Sequence, residues 1–161
     1  MLAAHAELVE GIGDGKFDAI AGVATAGVTI SSPLAIMLKK PVMYVRKHEE
    51  ARGLRLVEGT SKHGSRVLLI DDLVSTGTSM VSAIDALRRE GYEVTDAAVL
   101  VDRLEGGKAK LEGVGVRLRS FTSIGDMLQA LQAMKPAKKD QVGTILKHTE
   151  IRGDTQERHR K

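Results

Sequence analysis

The stretch Val67-Leu-Leu-Ile-Asp71-Asp72-Leu73-Val74-Ser75-Thr76-Gly77-Thr78-Ser79 decides how the rest of this sequence is read. Four apolar residues run into two adjacent acids, and a small loop of hydroxyls around one glycine follows. Beyond it, Val81, Ala83, Ile84 and Leu87 fall on one side of a helix over residues 78–90, with Gly91 as its stop. Strand, loop and helix in that order leave the N–H groups of the helix's first turn exposed, with a partial positive charge. Ser75, Thr76, Thr78 and Ser79 add hydroxyl donors, and Gly77 lets the backbone approach closely. Such a loop suits a phosphate. Asp71 and Asp72 would repel one, so their natural partners are sugar hydroxyls or a magnesium ion. Two solvated acids before a capped helix would also explain a lone Asp-Asp. The full run favours a ligand site.

Outward from this segment the chain alternates strands and helices. Residues 3–12 read as a helix with Leu8, Val9 and Ile12 on one side. Residues 18–22 read as a buried strand, 22–27 as a small-residue turn, and 32–38 as a helix with Pro33 near its start. Val42-Met-Tyr-Val45 is a second strand, and the charged, glycine-containing residues 46–64 are a long loop. After the strand at 67–70 and the helix at 78–90 come a strand at 94–101 and a short helix at 108–112. A strand at 116–121 and a helix at 124–134 close the series. The predicted class is α/β, a mostly parallel sheet flanked by helices. Ligands of such sheets bind beyond the carboxyl ends of the strands, which singles out the loops after Gly22, Val45, Ile70 and Val101.

At 161 residues the chain holds one domain's worth of core. Aromatics are 2% of it, so aliphatic side chains build the core and stacking platforms for single-stranded nucleic acid are lacking. The absence of Cys excludes disulfides, thiolate metal sites and a cysteine nucleophile. Residues 135–161 hold eight Lys/Arg against four Asp/Glu, a net of +4 in a chain of net +3, so residues 1–134 carry −1. The basic character belongs to a solvated tail at 135–161 and not to the domain at 1–134, which removes the main support for nucleic-acid binding. Residues 19–38 contain no charge, but Gly22, Thr25, Gly27, Thr29, Ser31, Ser32 and Pro33 make them too polar for a lipid-spanning helix. No basic n-region precedes an apolar run at Met1, so a cytoplasmic protein is expected. Neither a Walker A loop nor a Gly-x-Gly-x-x-Gly fingerprint occurs.

Residues 67–79 resemble the phosphoribosyl pyrophosphate signature of type I phosphoribosyltransferases. The resemblance implies that family's fold, a parallel-sheet core under a hood, and magnesium-dependent transfer of phosphoribose to a nitrogen base. It implies that Asp71 and Asp72 hold the ribose hydroxyls and that Ser75, Thr76, Gly77, Thr78 and Ser79 cradle the 5-phosphate. Leu73 and Val74 belong to the same binding run. Three further segments resemble the orotate phosphoribosyltransferase family. Gly22-Val-Ala24-Thr25-Ala-Gly27 is similar to the pyrophosphate loop, although alone it reads equally as a tight strand-to-helix turn. Tyr44-Val-Arg46-Lys47 is similar to the Arg-Lys pair that meets the diphosphate, although two cations alone read as a solvated loop. Val101-Asp-Arg103-Leu-Glu-Gly-Gly107 is similar to the element whose Arg pairs with the orotate carboxylate, a match of guanidinium fork to carboxylate.

By resemblance, then, Ala24, Thr25, Arg46, Lys47 and residues 71–79 bind phosphoribosyl pyrophosphate, and Ser75 and Arg103 bind orotate. Lys47, Asp71 and Asp72 are the catalytic residues. Magnesium arrives mainly on the substrate, with Asp71 and Asp72 as its protein ligands. The products are orotidine 5'-monophosphate and pyrophosphate, a step of pyrimidine biosynthesis, and a homodimer sharing an active-site loop is implied. Two departures leave other functions open. In the loop after Lys47, Glu50 stands at the family's Lys position and Arg52 at its His position, while Glu58-Gly59 matches the loop's end. The helix at 3–12 begins the chain, where the family carries further residues that help form the hood, so the hood is expected to be reduced. A regulatory module that binds phosphoribosyl pyrophosphate without turnover, or transfer to a purine, are the alternatives.

Overall fold

A computed structural model describes residues 2–46, 55–59 and 61–133. Its helices are α1 (Leu2–Ile12), α2 (Ala26–Leu38), α3 (Thr78–Arg89), α4 (Gly107–Gly113) and α5 (Ile124–Ala133). Its strands are β1 (Ala19–Val23), β2 (Val42–Val45), β3 (Val57–Gly59), β4 (Arg66–Val74), β5 (Glu93–Asp102) and β6 (Arg117–Ser123). They form one sheet in the order β3-β2-β1-β4-β5-β6, parallel throughout except for the antiparallel β2–β3 pair.

The unbroken apolar run of β4 follows from its place at the centre of this sheet, where both faces are covered. Val67 and Leu69 pack on one face with Ala19, Ala21 and Val99, beneath Met80, Ala83, Ile84 and Leu87 of α3 and Leu111 of α4. Leu68 and Ile70 pack on the other with Ile20 and Ala98, against Val9 and Ile12 of α1 and Ile30 and Leu34 of α2. Leu68, Leu69 and Ile70 are fully buried, each contributing roughly 1.5–3 kcal/mol by leaving water. No helix among the described residues is long and apolar enough to cross a membrane.

Three elements differ from the sequence reading. β4 does not stop at Ile70. It continues through both acids to Val74, because Asp71, Leu73 and Val74 pair with Val99, Val101 and Asp102 of β5. α2 begins at Ala26, so Pro33 lies inside the helix and not near its start. The residues of its first turns are as small as those of a turn, but Gly27 packs on β4 and Ile30 and Ser31 are buried, which holds them helical. Pro33 removes one helical hydrogen bond, to the carbonyl of Thr29 at an exposed position. Within the predicted loop at 46–64, Val57–Gly59 forms β3 on the edge of β2, with Val57 buried opposite Val45.

Candidate active site

The carboxyl ends of β1 and β4 open onto a cleft of about 440 Å³ lined by residues 24–26 and 71–80. The run 71–79 predicted from sequence thus lines one cleft in full, together with Ala24 and Thr25. Two residues join β1 to α2, and close packing fixes them. A Cβ on Gly27 would stand 2.5 Å from the Ile70 carbonyl oxygen, and one on Gly22 would collide with the Ser31 hydroxyl. Only glycine lets α2 start this close to β4. The Ala24 N–H donates to the Val45 carbonyl at 2.9 Å, and the Ala24–Thr25 peptide bond is cis.

The two acids are oriented by the backbone. Asp71 Oδ1 accepts the Asp72 N–H at 3.0 Å, and Asp72 Oδ1 accepts the Leu73 N–H at 2.8 Å. From α1, the fully buried His5 brings its Nε2 to 3.0 Å from the Asp71 carbonyl oxygen. His5 carries no motif. Its one sequence signal is its place four and seven residues before Val9 and Ile12, a polar residue on the buried stripe of α1.

The loop at 75–77 turns the chain into α3. Gly77, the residue that caps α3, has φ +76°, a left-handed conformation that favours glycine. Gly77 has no side chain with which to cap the helix, and Thr78, Ser79 and Met80 of the first turn line the cleft. The Thr76 and Thr78 hydroxyls lie 3.2 Å apart, and Lys110 Nζ of α4 donates to Thr78 Oγ1 at 2.7 Å. In this one cleft, helix N–H groups and hydroxyls can donate to an anion, and the two carboxylates can accept from hydroxyls.

The phosphoribosyl transferase domain family model matches residues 3–126. This chain belongs to that family. It is 36% identical over 127 residues to the orotate phosphoribosyltransferase of Cenarchaeum symbiosum, covering 78% of this chain and 64% of that protein. The crystal structure of orotate phosphoribosyltransferase from Aeropyrum pernix is 38% identical with a TM-score of 0.69, over 81% of this chain and 74% of that one. The Mycobacterium tuberculosis orotate phosphoribosyltransferase in complex with 5-phospho-alpha-D-ribosyl 1-diphosphate is 29% identical with a TM-score of 0.63, over 75% and 72%. The chain spans 62–66% of the length of four curated orotate phosphoribosyltransferases that it matches.

Two cations predicted for the phosphoribosyltransferase site do not line the cleft. Arg46 follows β2, where its Nη2 donates to the Tyr44 hydroxyl at 2.8 Å and its Nε lies 3.5 Å from Glu58 Oε1. Arg103 donates its backbone N–H to the Val74 carbonyl at 2.9 Å, beside the loop, but its Nη2 is paired with Glu105 Oε1 at 2.9 Å. Ser75 lies in the cleft lining. Lys47, Glu50, Arg52 and the tail at 135–161 lie outside the described residues. Among the described residues no group of three or more His, Cys, Asp or Glu is placed to hold a metal ion.

Proposed function

We propose that this chain transfers phosphoribose from phosphoribosyl pyrophosphate to orotate, giving orotidine 5'-monophosphate and pyrophosphate. The observation that carries the proposal is the union, in one cleft, of the Asp71-Asp72 pair with the uncapped start of α3. The similarity to orotate phosphoribosyltransferases supports the choice of base. In this account Asp71 and Asp72 accept hydrogen bonds from the ribose hydroxyls. The N–H groups and hydroxyls of residues 75–79 take the 5-phosphate, and Ala24 and Thr25 border the pyrophosphate.

Bond making and breaking occur within the substrates. The bond from the anomeric carbon to pyrophosphate breaks, pyrophosphate leaves with the electron pair, and the deprotonated ring nitrogen of orotate forms the new bond. The protein's contribution is to hold sugar and base in line and to stabilise charge. Two half-buried carboxylates are hard oxygen donors, fewer than an all-protein magnesium cage needs but suited to an ion that also binds substrate oxygens. When bound there, Mg2+ would neutralise charge on the pyrophosphate. Arg46 and Lys47 would supply further cations to that group. Arg103 would exchange Glu105 for the orotate carboxylate, with Ser75 beside the base. Residues 1–134 form the working domain, 135–161 are its basic C-terminal tail, and the enzyme acts as a cytoplasmic homodimer.

The test is spectrophotometric. Purified protein with Mg2+, phosphoribosyl pyrophosphate and orotate should consume the orotate absorbance, and omission of phosphoribosyl pyrophosphate should stop it. Turnover with adenine, hypoxanthine or guanine but not orotate would overturn the assignment of the base. Binding of phosphoribosyl pyrophosphate without turnover of any base would identify a regulatory module instead.

A further inference from the structure

The described residues lining the cleft include two carboxylates and no Lys or Arg. A sugar phosphate monoester brings close to two negative charges at neutral pH, and a loop of neutral donors stabilises these less well than a loop that includes a cation. We infer that Lys110 supplies that cation, binding the 5-phosphate directly at the start of α3. The inference rests on the phosphoribosyl pyrophosphate reading of the cleft and assigns a residue to it.

Lys110 is positioned by the packing of α4 against the anion loop. A Cβ on Gly107 would overlap the Val74 side chain and stand 2.5 Å from the Ser75 carbonyl oxygen. A Cβ on Gly77 would stand 3.0 Å from the Gly107 carbonyl oxygen. Paired glycines therefore let the start of α4 touch the loop backbone, and Lys110 follows three residues after Gly107, about one turn along. Its ammonium group reaches Thr78 Oγ1, and that hydroxyl neighbours Thr76 Oγ1. Both threonines line the cleft. An ammonium group has three N–H donors, so the bond to Thr78 leaves others to turn toward a phosphate seated on the loop. That bond also directs the Thr78 hydroxyl proton away from Lys110, toward Thr76 or the ligand. Lys108, exposed on the same helix, is two residues away, a spacing that puts side chains on different faces.

The experiment is a calorimetric titration with ribose 5-phosphate at low ionic strength, comparing wild type with Lys110→Met, Lys110→Arg and Lys108→Met. Lys110→Met should weaken binding about five- to tenfold, within the range for charged hydrogen bonds and exposed ion pairs. It should also flatten the salt dependence of binding. Lys110→Arg should restore binding to within about twofold, and Lys108→Met should leave it unchanged. In turnover, Lys110→Met should raise KM for phosphoribosyl pyrophosphate and leave KM for orotate unchanged. Equal affinities for wild type and Lys110→Met, or an equal loss in Lys108→Met, would overturn the inference. If wild type binds ribose 5-phosphate through Lys110 but never turns over orotate, the proposed reaction falls and the phosphate contact stands. If wild type does not bind ribose 5-phosphate, the Lys110 contact falls, and orotate turnover alone decides the proposed reaction.

Discussion

The central strand β4 has a carboxylate site at each end, and the two sites are built differently. At the amino end, Arg66 Nη2 and Nε meet Asp18 Oδ1 and Oδ2 at 2.7 and 3.0 Å, and the Arg66 N–H donates to the same carboxylate. This fork, with side-chain hydrogen bonding as the largest cause, holds the Asp18 carboxyl well below the usual carboxylate range. At the carboxyl end, Asp71 and Asp72 each accept a bond from the next residue's N–H and line the cleft. A backbone N–H has no formal charge, so these two bonds serve to orient the carboxylates. The first arrangement joins β4 to the residue before β1. The second presents oriented acceptors beside the hydroxyl-bearing loop at 75–79. The Asp18 carboxylate is held by a guanidinium fork, whereas Asp71 and Asp72 line the cleft, so each end can be altered without the other.

The largest expected effect is at the carboxyl end. Converting both Asp71 and Asp72 to Asn should reduce turnover by at least about a hundredfold, since each lost charged hydrogen bond is worth roughly 1.5–3 kcal/mol. The thermal midpoint should stay within a few degrees, because neither side chain belongs to the apolar core. Steady-state rates together with a melting curve check both parts. Next in size, Arg103→Ala should raise KM for orotate about tenfold or more while changing that for phosphoribosyl pyrophosphate little. Equal changes in the two constants would place Arg103 outside the base site. Smallest is the amino end. Asp18 has a depressed folded pKa, so its contribution is present above its unfolded pKa near about 4 and is lost as pH falls below that value. Asp18→Asn should therefore lower the thermal midpoint slightly at pH 7 and hardly at all in strong acid. The pair is exposed, and a midpoint shift as large at low pH as at neutral pH would contradict the pairing account.

How much of this was legible in the sequence depended on whether the signal was local. The core of β4 reads directly, because a run apolar at both odd and even positions requires cover on both faces, which α3 and α4 provide on one and α1 and α2 on the other. The continuation of β4 through Asp71 and Asp72 is invisible to apolar pattern, since ladder bonds to β5 and not hydrophobicity extend it. The early start of α2 is hidden because Ala26, Gly27 and Thr29 have the composition of a turn and become helical through packing on β4. The loop 75–79 was legible as one unit joining strand to helix because its hydroxyls, glycine and following helix are contiguous, and the fold puts all of it in the cleft lining. His5 and Lys110 were not, because they reach their partners across 66 and 32 residues of sequence. The settings of Arg46 and Arg103 were equally hidden, since Tyr44, Glu58 and Glu105 become their partners only through the fold.

The central claim is that the carboxyl end of β4 binds phosphoribosyl pyrophosphate and the amino end takes no part. Calorimetric titration of phosphoribosyl pyrophosphate with Mg2+ into wild type, Asp72→Asn and Asp18→Asn tests it most directly. Wild type and Asp18→Asn should bind alike, and Asp72→Asn should bind about tenfold or more weakly, in line with the loss of one charged hydrogen bond. Unchanged affinity in a folded Asp72→Asn, or an equal loss in Asp18→Asn, would contradict the account.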